Sequence, residues 1–196
     1  MKVEIADEPL TALEEHARIS IAFEVDRVLD VEVLDGGLGG IALSERKLEV
    51  AYIKDYDALE GEGPACWARR FDLSNWGLMA ARWDGQRVGG AVVAFNTVGV
   101  HMLEGRTDLA VLWDIRVSPN ARGRGIGSGL FQAAQAWAMK RGCRRLKVET
   151  QNINVAACRF YARQGCVLGA IHRFAYHQLP DEIQLLWYKE LVSDAG

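Results

Sequence analysis

Asn120-Ala121-Arg122-Gly123-Arg124-Gly125-Ile126-Gly127-Ser128-Gly129 separates two segments of different character. Before it, Ala110 to Val117 is an apolar run that reads as a buried strand, closed by Ser118-Pro119-Asn120. After it, Ile126, Leu130, Ala133, Ala134 and Trp137 recur at helical spacing. The pattern is strand, glycine turn, helix. Glycine lets backbone N–H groups approach a ligand closely, and the first turn of a helix adds unsatisfied N–H groups and a partial positive charge. A cradle for a phosphate or pyrophosphate is expected here. Two familiar phosphate loops are excluded by spacing. The third glycine of a dinucleotide fingerprint would fall on Ser128 or Leu130, and no Gly-Lys-Ser/Thr follows.

Downstream, Gly142 stops the helix after Lys140, and Leu146 to Glu149 reads as a strand. Asn154 is suited to cap a helix carrying Ala157, Phe160 and Tyr161, with Gly165 to end it; strands are expected over Cys166 to Phe174 and Glu182 to Glu190. Upstream, Asp84-Gly85 joins strands Trp76 to Trp83 and Arg87 to Asn96 as a hairpin. A short helix is expected near Ala65 to Phe71, after an acidic, glycine-rich surface loop from Lys54 to Pro64. Lys47 to Ile53 alternates as a strand, and Ile19 to Val25 with Val28 to Leu34 reads as a broken strand before the turn at Asp35-Gly36-Gly37. Residues 1–15 are expected to be mobile. With no internal repeat or linker, residues 1–196 are expected to form one domain of mixed α/β class, an antiparallel meander leading into strand, turn, helix, strand, helix, strand.

The composition agrees with a folded core: of 196 residues 49% are hydrophobic and 25% charged, which excludes a disordered or collagen-like chain. No apolar run approaches the roughly 20 residues of a membrane span, and residues 1–8 lack a signal-peptide core, so a cytoplasmic protein without a membrane partner is expected. Cys66, Cys143, Cys158 and Cys166 form no Cys-x-x-Cys pair; reduced, mostly buried thiols and no metal site are expected. Net charge is -3, yet Ile115 to Val148 holds eight Lys or Arg and no acid, leaving 15 basic against 26 acidic residues elsewhere. One local positive field in an acidic chain points to a small anionic ligand rather than nucleic acid; the bland alternative is a solvated basic face.

Arg122, Gly125 and Gly127 fit the signature Arg/Gln-x-x-Gly-x-Gly/Ala, and Asn154-Val155-Ala156-Ala157-Cys158-Arg159-Phe160-Tyr161-Ala162-Arg163-Gln164-Gly165-Cys166 resembles the Asn-x-x-Ala-x-x-x-Tyr-x-x-x-Gly-Phe signature of the GNAT superfamily of N-acetyltransferases. Within it the chain is most similar to streptothricin acetyltransferases, through Trp113-Asp114-Ile115-Arg116-Val117, Val148-Glu149-Thr150, Asn152-Ile153-Asn154 and Leu185-Leu186-Trp187-Tyr188. Cys166 stands where the family usually has Phe, and Trp113 where streptothricin enzymes tend to carry Glu. The resemblance implies a GNAT-like, mainly antiparallel central sheet, splayed at the cofactor site and flanked by helices. It further implies transfer of acetyl from acetyl-CoA to a primary amine in a ternary complex. Ile115 and Val117 would bind the pantetheine arm, and Arg122, Gly123, Arg124, Gly125, Ile126, Gly127 and Ser128 the pyrophosphate. Asn154, Ala157 and Tyr161 complete the implied cofactor set.

The same resemblance makes Tyr161 the general acid and a backbone N–H near Val117 the oxyanion donor. For the base, Asp114 and Glu149 are acids in otherwise apolar strands, where an ionisable side chain invites a reason; pairing of Asp114 with a nearby arginine is the structural alternative. Strand alternation puts Asp114 and Arg116 on one face. Trp113, Asp114, Glu149 and Tyr176 are the candidates for acceptor binding, although a bulky aromatic in a strand, such as Trp113, is usually core. Cys158 and Cys166 have no neighbouring His to activate them. The first reading of the acceptor is a small cationic amine such as a streptothricin-type antibiotic. A protein or peptide amine, and a CoA-binding sensor without catalysis, are the alternatives; Tyr161 in its motif argues against the last. Oligomeric state, a homodimer included, is left open.

Overall fold

The computed structural model describes residues 3–191. Met1 and Lys2, part of the segment expected to be mobile, lie outside the described residues. Nine strands appear: β1 (Val3–Glu8), β2 (Phe23–Leu34), β3 (Gly40–Lys54), β4 (Gly77–Trp83), β5 (Gln86–Phe95), β6 (Leu109–Val117), β7 (Arg145–Gln151), β8 (Val167–His172) and β9 (Gln184–Glu190). Four helices accompany them: α1 (Leu13–Ala17), α2 (Pro64–Arg70), α3 (Ile126–Met139) and α4 (Val155–Arg163). Seven strands form one sheet in the order β1-β4-β5-β6-β7-β9-β8, and β2 with β3 forms a separate two-stranded sheet. The expected mixed, mainly antiparallel α/β sheet is therefore present. The chain divides into two compact units, one of residues up to Ile21, Asp55–Val148 and the segment from Tyr188, the other of Ala22–Lys54 and Glu149–Trp187.

In the first unit, β4, β5 and β6 form the antiparallel meander. The turn between β4 and β5 has positive φ at both Asp84 (48°) and Gly85 (82°), the twist that a tight hairpin requires. The segment expected to be mobile instead supplies β1, paired antiparallel with β4 from Val3↔Trp83 to Glu8↔Leu78. Its weak apolar pattern, which hid it, is that of an edge strand, for the ladder and not the side chains secures it. Leu13 of α1, Trp67 of α2 and Trp76 pack with Leu78, Val92, Ala94 and Val111 into the core on one sheet face.

A bulge interrupts the ladder of β6. Pairing with β5 steps from Val93↔Leu112 to Val92↔Asp114, leaving Trp113 as the extra residue. Trp113 and Asp114 consequently share one sheet face, since Trp113 meets the rings of Trp67 and Phe71 beside α2 while Asp114 bonds His16 of α1. Simple alternation would have put them on opposite faces. On its other edge β6 pairs in parallel with β7 from Leu109↔Arg145 to Leu112↔Val148, and Trp113 to Val117 extends past that register.

In the second unit, β2 is continuous rather than broken, and the irregularity falls on its partner: pairing steps from Val25↔Tyr52 to Arg27↔Lys47, so the extra residues bulge out of β3. Val25, Val28 and Ile153 form its small core, with Phe23 and Leu48 packed against them. Helix α4 begins as its sequence predicts, with the Asn154 side chain accepting the Ala157 N–H at 3.1 Å. Gly165, with φ of 76°, ends it.

Candidate active site

The glycine turn takes the form expected of an anion cradle. Gly123 and Gly125 have φ of 74° and 79°, a left-handed conformation that disfavours any residue with a Cβ. Gly125 is the N-cap of α3, no side chain caps this end, and no acid occupies its first turn. The N–H groups of Ile126 and Gly127 thus open the helix behind a cap residue that has no side chain to accept from them, the arrangement that suits a phosphate. The residues present fit the pyrophosphate of a CoA.

The arginines of the turn serve its shape. Arg122 Nε donates to the Val117 carbonyl at 3.0 Å, closing the turn back onto the end of β6. The Arg124 guanidinium lies over the Trp83 ring at 4.6 Å, so it braces the turn against the β4–β5 hairpin. Both arginines are exposed and add positive charge at the cradle.

The end of β6 presents donors of its own. Ser118 N–H bonds the Val88 carbonyl at 2.8 Å. By strand alternation, the N–H groups of Ile115 and Val117 then point to the opposite edge, where the β7 register ended at Leu112. That edge can hydrogen-bond an extended ligand.

Asp114 belongs to a buried network. Its Oδ1 accepts from His16 Nε2 at 2.7 Å and from Arg116 Nε at 2.9 Å, and its Oδ2 accepts from Arg116 Nη2 at 2.5 Å. Arg116 also donates to Asp57 at 2.6 Å and to the Ile19 carbonyl at 2.9 Å. Burial opposes ionisation of the Asp114 carboxyl, but the bonds from His16 and Arg116 prevail and hold it at about 2. A carboxylate so acidic and so paired is a poor proton acceptor near neutrality. This is the pairing alternative weighed from the sequence. Trp113 likewise stands in an aromatic cluster, with ring centroids 5.2 Å from Trp76 and 5.4 Å from Phe71.

Glu149, in the second unit, has different company. Tyr176 Oη donates to its Oε1 at 2.6 Å, and Gln184 Nε2 to its Oε2 at 2.7 Å. Gln151 Nε2 donates to Tyr176 Oη at 2.9 Å and lies 3.4 Å from Glu149 Oε1. Burial and the Glu149 charge push the Tyr176 hydroxyl well above its ordinary range, so it stays a donor. These donors are all neutral. They hold the half-buried carboxyl in place.

Tyr161 is buried on α4, its ring edge-on to Phe160 at 5.1 Å. Asn154 and Ala157 are joined by the helix cap, which commits the Asn154 oxygen to the backbone. The cysteines form no disulfide, and Cys143, Cys158 and Cys166 are buried. Burial raises the Cys158 thiol above its ordinary range, as befits an unreactive one. His16, Gln151 and Gln184 are the residues that sequence reasoning missed. Each gains its meaning from a partner distant in the chain or across a strand pair, so no local pattern marks it.

The model of the acetyltransferase (GNAT) family matches residues 44–166. Streptothricin acetyltransferase of Escherichia coli is 32% identical over 172 residues, covering 85% of this chain and 84% of that protein. Streptothricin acetyltransferase of Streptomyces lavendulae is 28% identical over 144 residues, covering 74% and 70%. Among solved structures, nourseothricin acetyltransferase superposes with a TM-score of 0.75 at 21% identity, covering 98% of this chain and all of that one. A Bacillus anthracis protein solved with acetyl coenzyme A superposes at 0.74 with 24% identity, covering 96% and 99%. At such identities the superpositions speak for the fold.

Proposed function

This chain belongs to the acetyltransferase (GNAT) family, and from that membership we propose which amine it acetylates and which residues do the work. It is an N-acetyltransferase that uses acetyl-CoA. We propose that the acceptor is a primary amine on a small cationic molecule of streptothricin type. Kinship with streptothricin acetyltransferases supports this. The observation that carries it is Glu149, a fixed carboxylate whose hydrogen-bond donors, Tyr176, Gln151 and Gln184, bring no compensating charge. Such a group can pair with an ammonium and accept its proton.

Acetyl-CoA supplies the thioester and its acetyl group. In the proposed arrangement the N–H groups of Ile126, Gly127 and Ser128, with Gly123 and Gly125 shaping the turn, hold the pyrophosphate. Ile115 and Val117 use their edge N–H groups to align the pantetheine arm and the thioester carbonyl. Arg122 and Arg124 brace the turn and contribute charge, so Arg122→Ala weakens cofactor binding without abolishing it. Glu149 orients the amine and removes its proton. Tyr161 Oη holds the proton that the departing thiolate needs. Asp114 keeps the end of β6 in shape and takes no proton.

Thiol release from acetyl-CoA in the presence of streptothricin, followed by mass spectrometry of the product, tests the reading. One added acetyl group is expected. Acetylation of a peptide amine with streptothricin left untouched would replace the acceptor and preserve the family chemistry.

A further inference from the structure

The part of β6 that runs past its register with β7 carries both proposed edge donors, Ile115 and Val117. Its other edge is paired with β5 from Val92↔Asp114 to Gly89↔Val117, so one ladder and the side chains of this stretch together fix it. The bulge at Trp113 turns two successive side chains to the face of α1 and α2, and each is anchored there. Trp113 enters the aromatic cluster with Trp67, Phe71 and Trp76. Asp114 enters the buried network with Arg116, Asp57 and His16.

His16 is the member whose role separates from folding. It comes from α1, is 0% exposed, and reaches Asp114 Oδ1 at 2.7 Å. Because an ionised carboxylate only accepts, the Nε2–H of His16 is the donor. Arg116 already supplies Asp114 with a cation on both oxygens and ties Asp57 to the same site, so ion pairing persists without His16. What His16 adds is direction, pulling one oxygen of Asp114 toward α1. The chain also makes room for it. A Cβ at Gly90 would lie 2.4 Å from His16 Nδ1, so only glycine at this β5 position leaves space for the ring, and Gly90 is paired with Arg116.

We propose that His16 is a positioning residue for acetyl transfer: through Asp114 it sets the backbone of the splayed end of β6, and so the aim of the Ile115 and Val117 N–H groups at the thioester carbonyl. This rests on the proposed use of that edge for the thioester. Misplacement of reacting groups by about 1 Å costs on the order of a hundredfold in rate, and His16→Ala is expected to lower kcat by about tenfold to a hundredfold, with the KM for acetyl-CoA little changed.

The deciding experiment needs no acceptor. Acetyl-CoA labelled with carbon-13 at its carbonyl is bound to the full-length protein, and the carbonyl resonance is compared with that of the free compound; titration calorimetry gives stoichiometry and affinity. In the wild type the resonance moves downfield as the carbonyl is polarised. In His16→Ala most of that displacement is lost, while the variant binds one equivalent with an affinity near that of the wild type. His16→Gln, which keeps an N–H for Asp114, restores it. Gly90→Ala, whose Cβ would press hardest on the His16 ring at 2.4 Å and less closely on the Met79 carbonyl at 3.1 Å, displaces the ring while keeping both His16 and Asp114; it reproduces the loss and serves if His16→Ala folds poorly. A full displacement retained in His16→Ala or Gly90→Ala, or no recovery in His16→Gln, overturns the proposal. No displacement in the bound wild type overturns instead the assignment of the β6 edge to the thioester.

Discussion

Asp114 and Glu149 look alike in the sequence, each an acid in an otherwise apolar strand, yet their surroundings divide their work. Asp114 is met by a guanidinium and an imidazole and is fully buried, and its charge is consumed inside the fold. Glu149 is met by a phenol and two amides, neutral donors that orient it. The lesson concerns the partners more than the acids. A carboxylate neutralised by a cation is spent on structure, whereas one held by neutral donors retains a charge for a ligand.

The contrast can be broken most sharply at Glu149. Glu149→Gln is expected to lower kcat by about a hundredfold or more, the usual contribution of a general base, while chemical denaturation finds its stability within about 1 kcal/mol of wild type. Equal loss of stability and rate would place Glu149 beside Asp114 as structural. At Asp114 the expectation is reversed. Arg116→Met leaves two carboxylates without their common cation and should cost about 3–5 kcal/mol in denaturant titrations. A loss below about 1 kcal/mol would mean that the network is dispensable.

Acid titration sharpens the same point. The Asp114 carboxyl titrates at about 2 in the folded protein against an ordinary 3.8, so its contribution to stability is complete above about pH 4 and is lost as the pH falls toward 2. That contribution is about 2 kcal/mol, and the stability of Asp114→Asn, though lower throughout, should vary less over the same window. The smallest effect is expected from Tyr176→Phe, which removes one donor from Glu149 and leaves those of the glutamines. A cost of about 1 kcal/mol, read as a several-fold rise in the KM of the amine at unchanged affinity for acetyl-CoA, is the expected result. A rate loss as large as that of Glu149→Gln would make the phenol itself part of the proton path.

Much of the fold was legible because it is written in local patterns. Helix α3 and its glycine start, the Asp84-Gly85 hairpin and the Asn154 cap each depend on residues within one turn of one another, where spacing and backbone preference act directly. The glycine turn was legible for the same reason, since Gly123, Gly125 and the start of α3 lie within a few consecutive residues.

What escaped local reading were features made by partners far apart in the chain. Strand β1 carries little apolar signal, and its edge position follows from the ladder with β4. The bulge at Trp113 has no sequence mark, yet it decides that Trp113 and Asp114 share a face, against the alternation rule. His16 and Asp114 are 98 residues apart and Glu149 and Gln184 are 35 apart, so which acid meets a cation and which meets an amide is settled only when the strands are in register. Residue type and spacing made two acids available. Tertiary structure gave them different partners, because the surroundings of a carboxylate are set by whatever the fold brings within hydrogen-bonding distance of it.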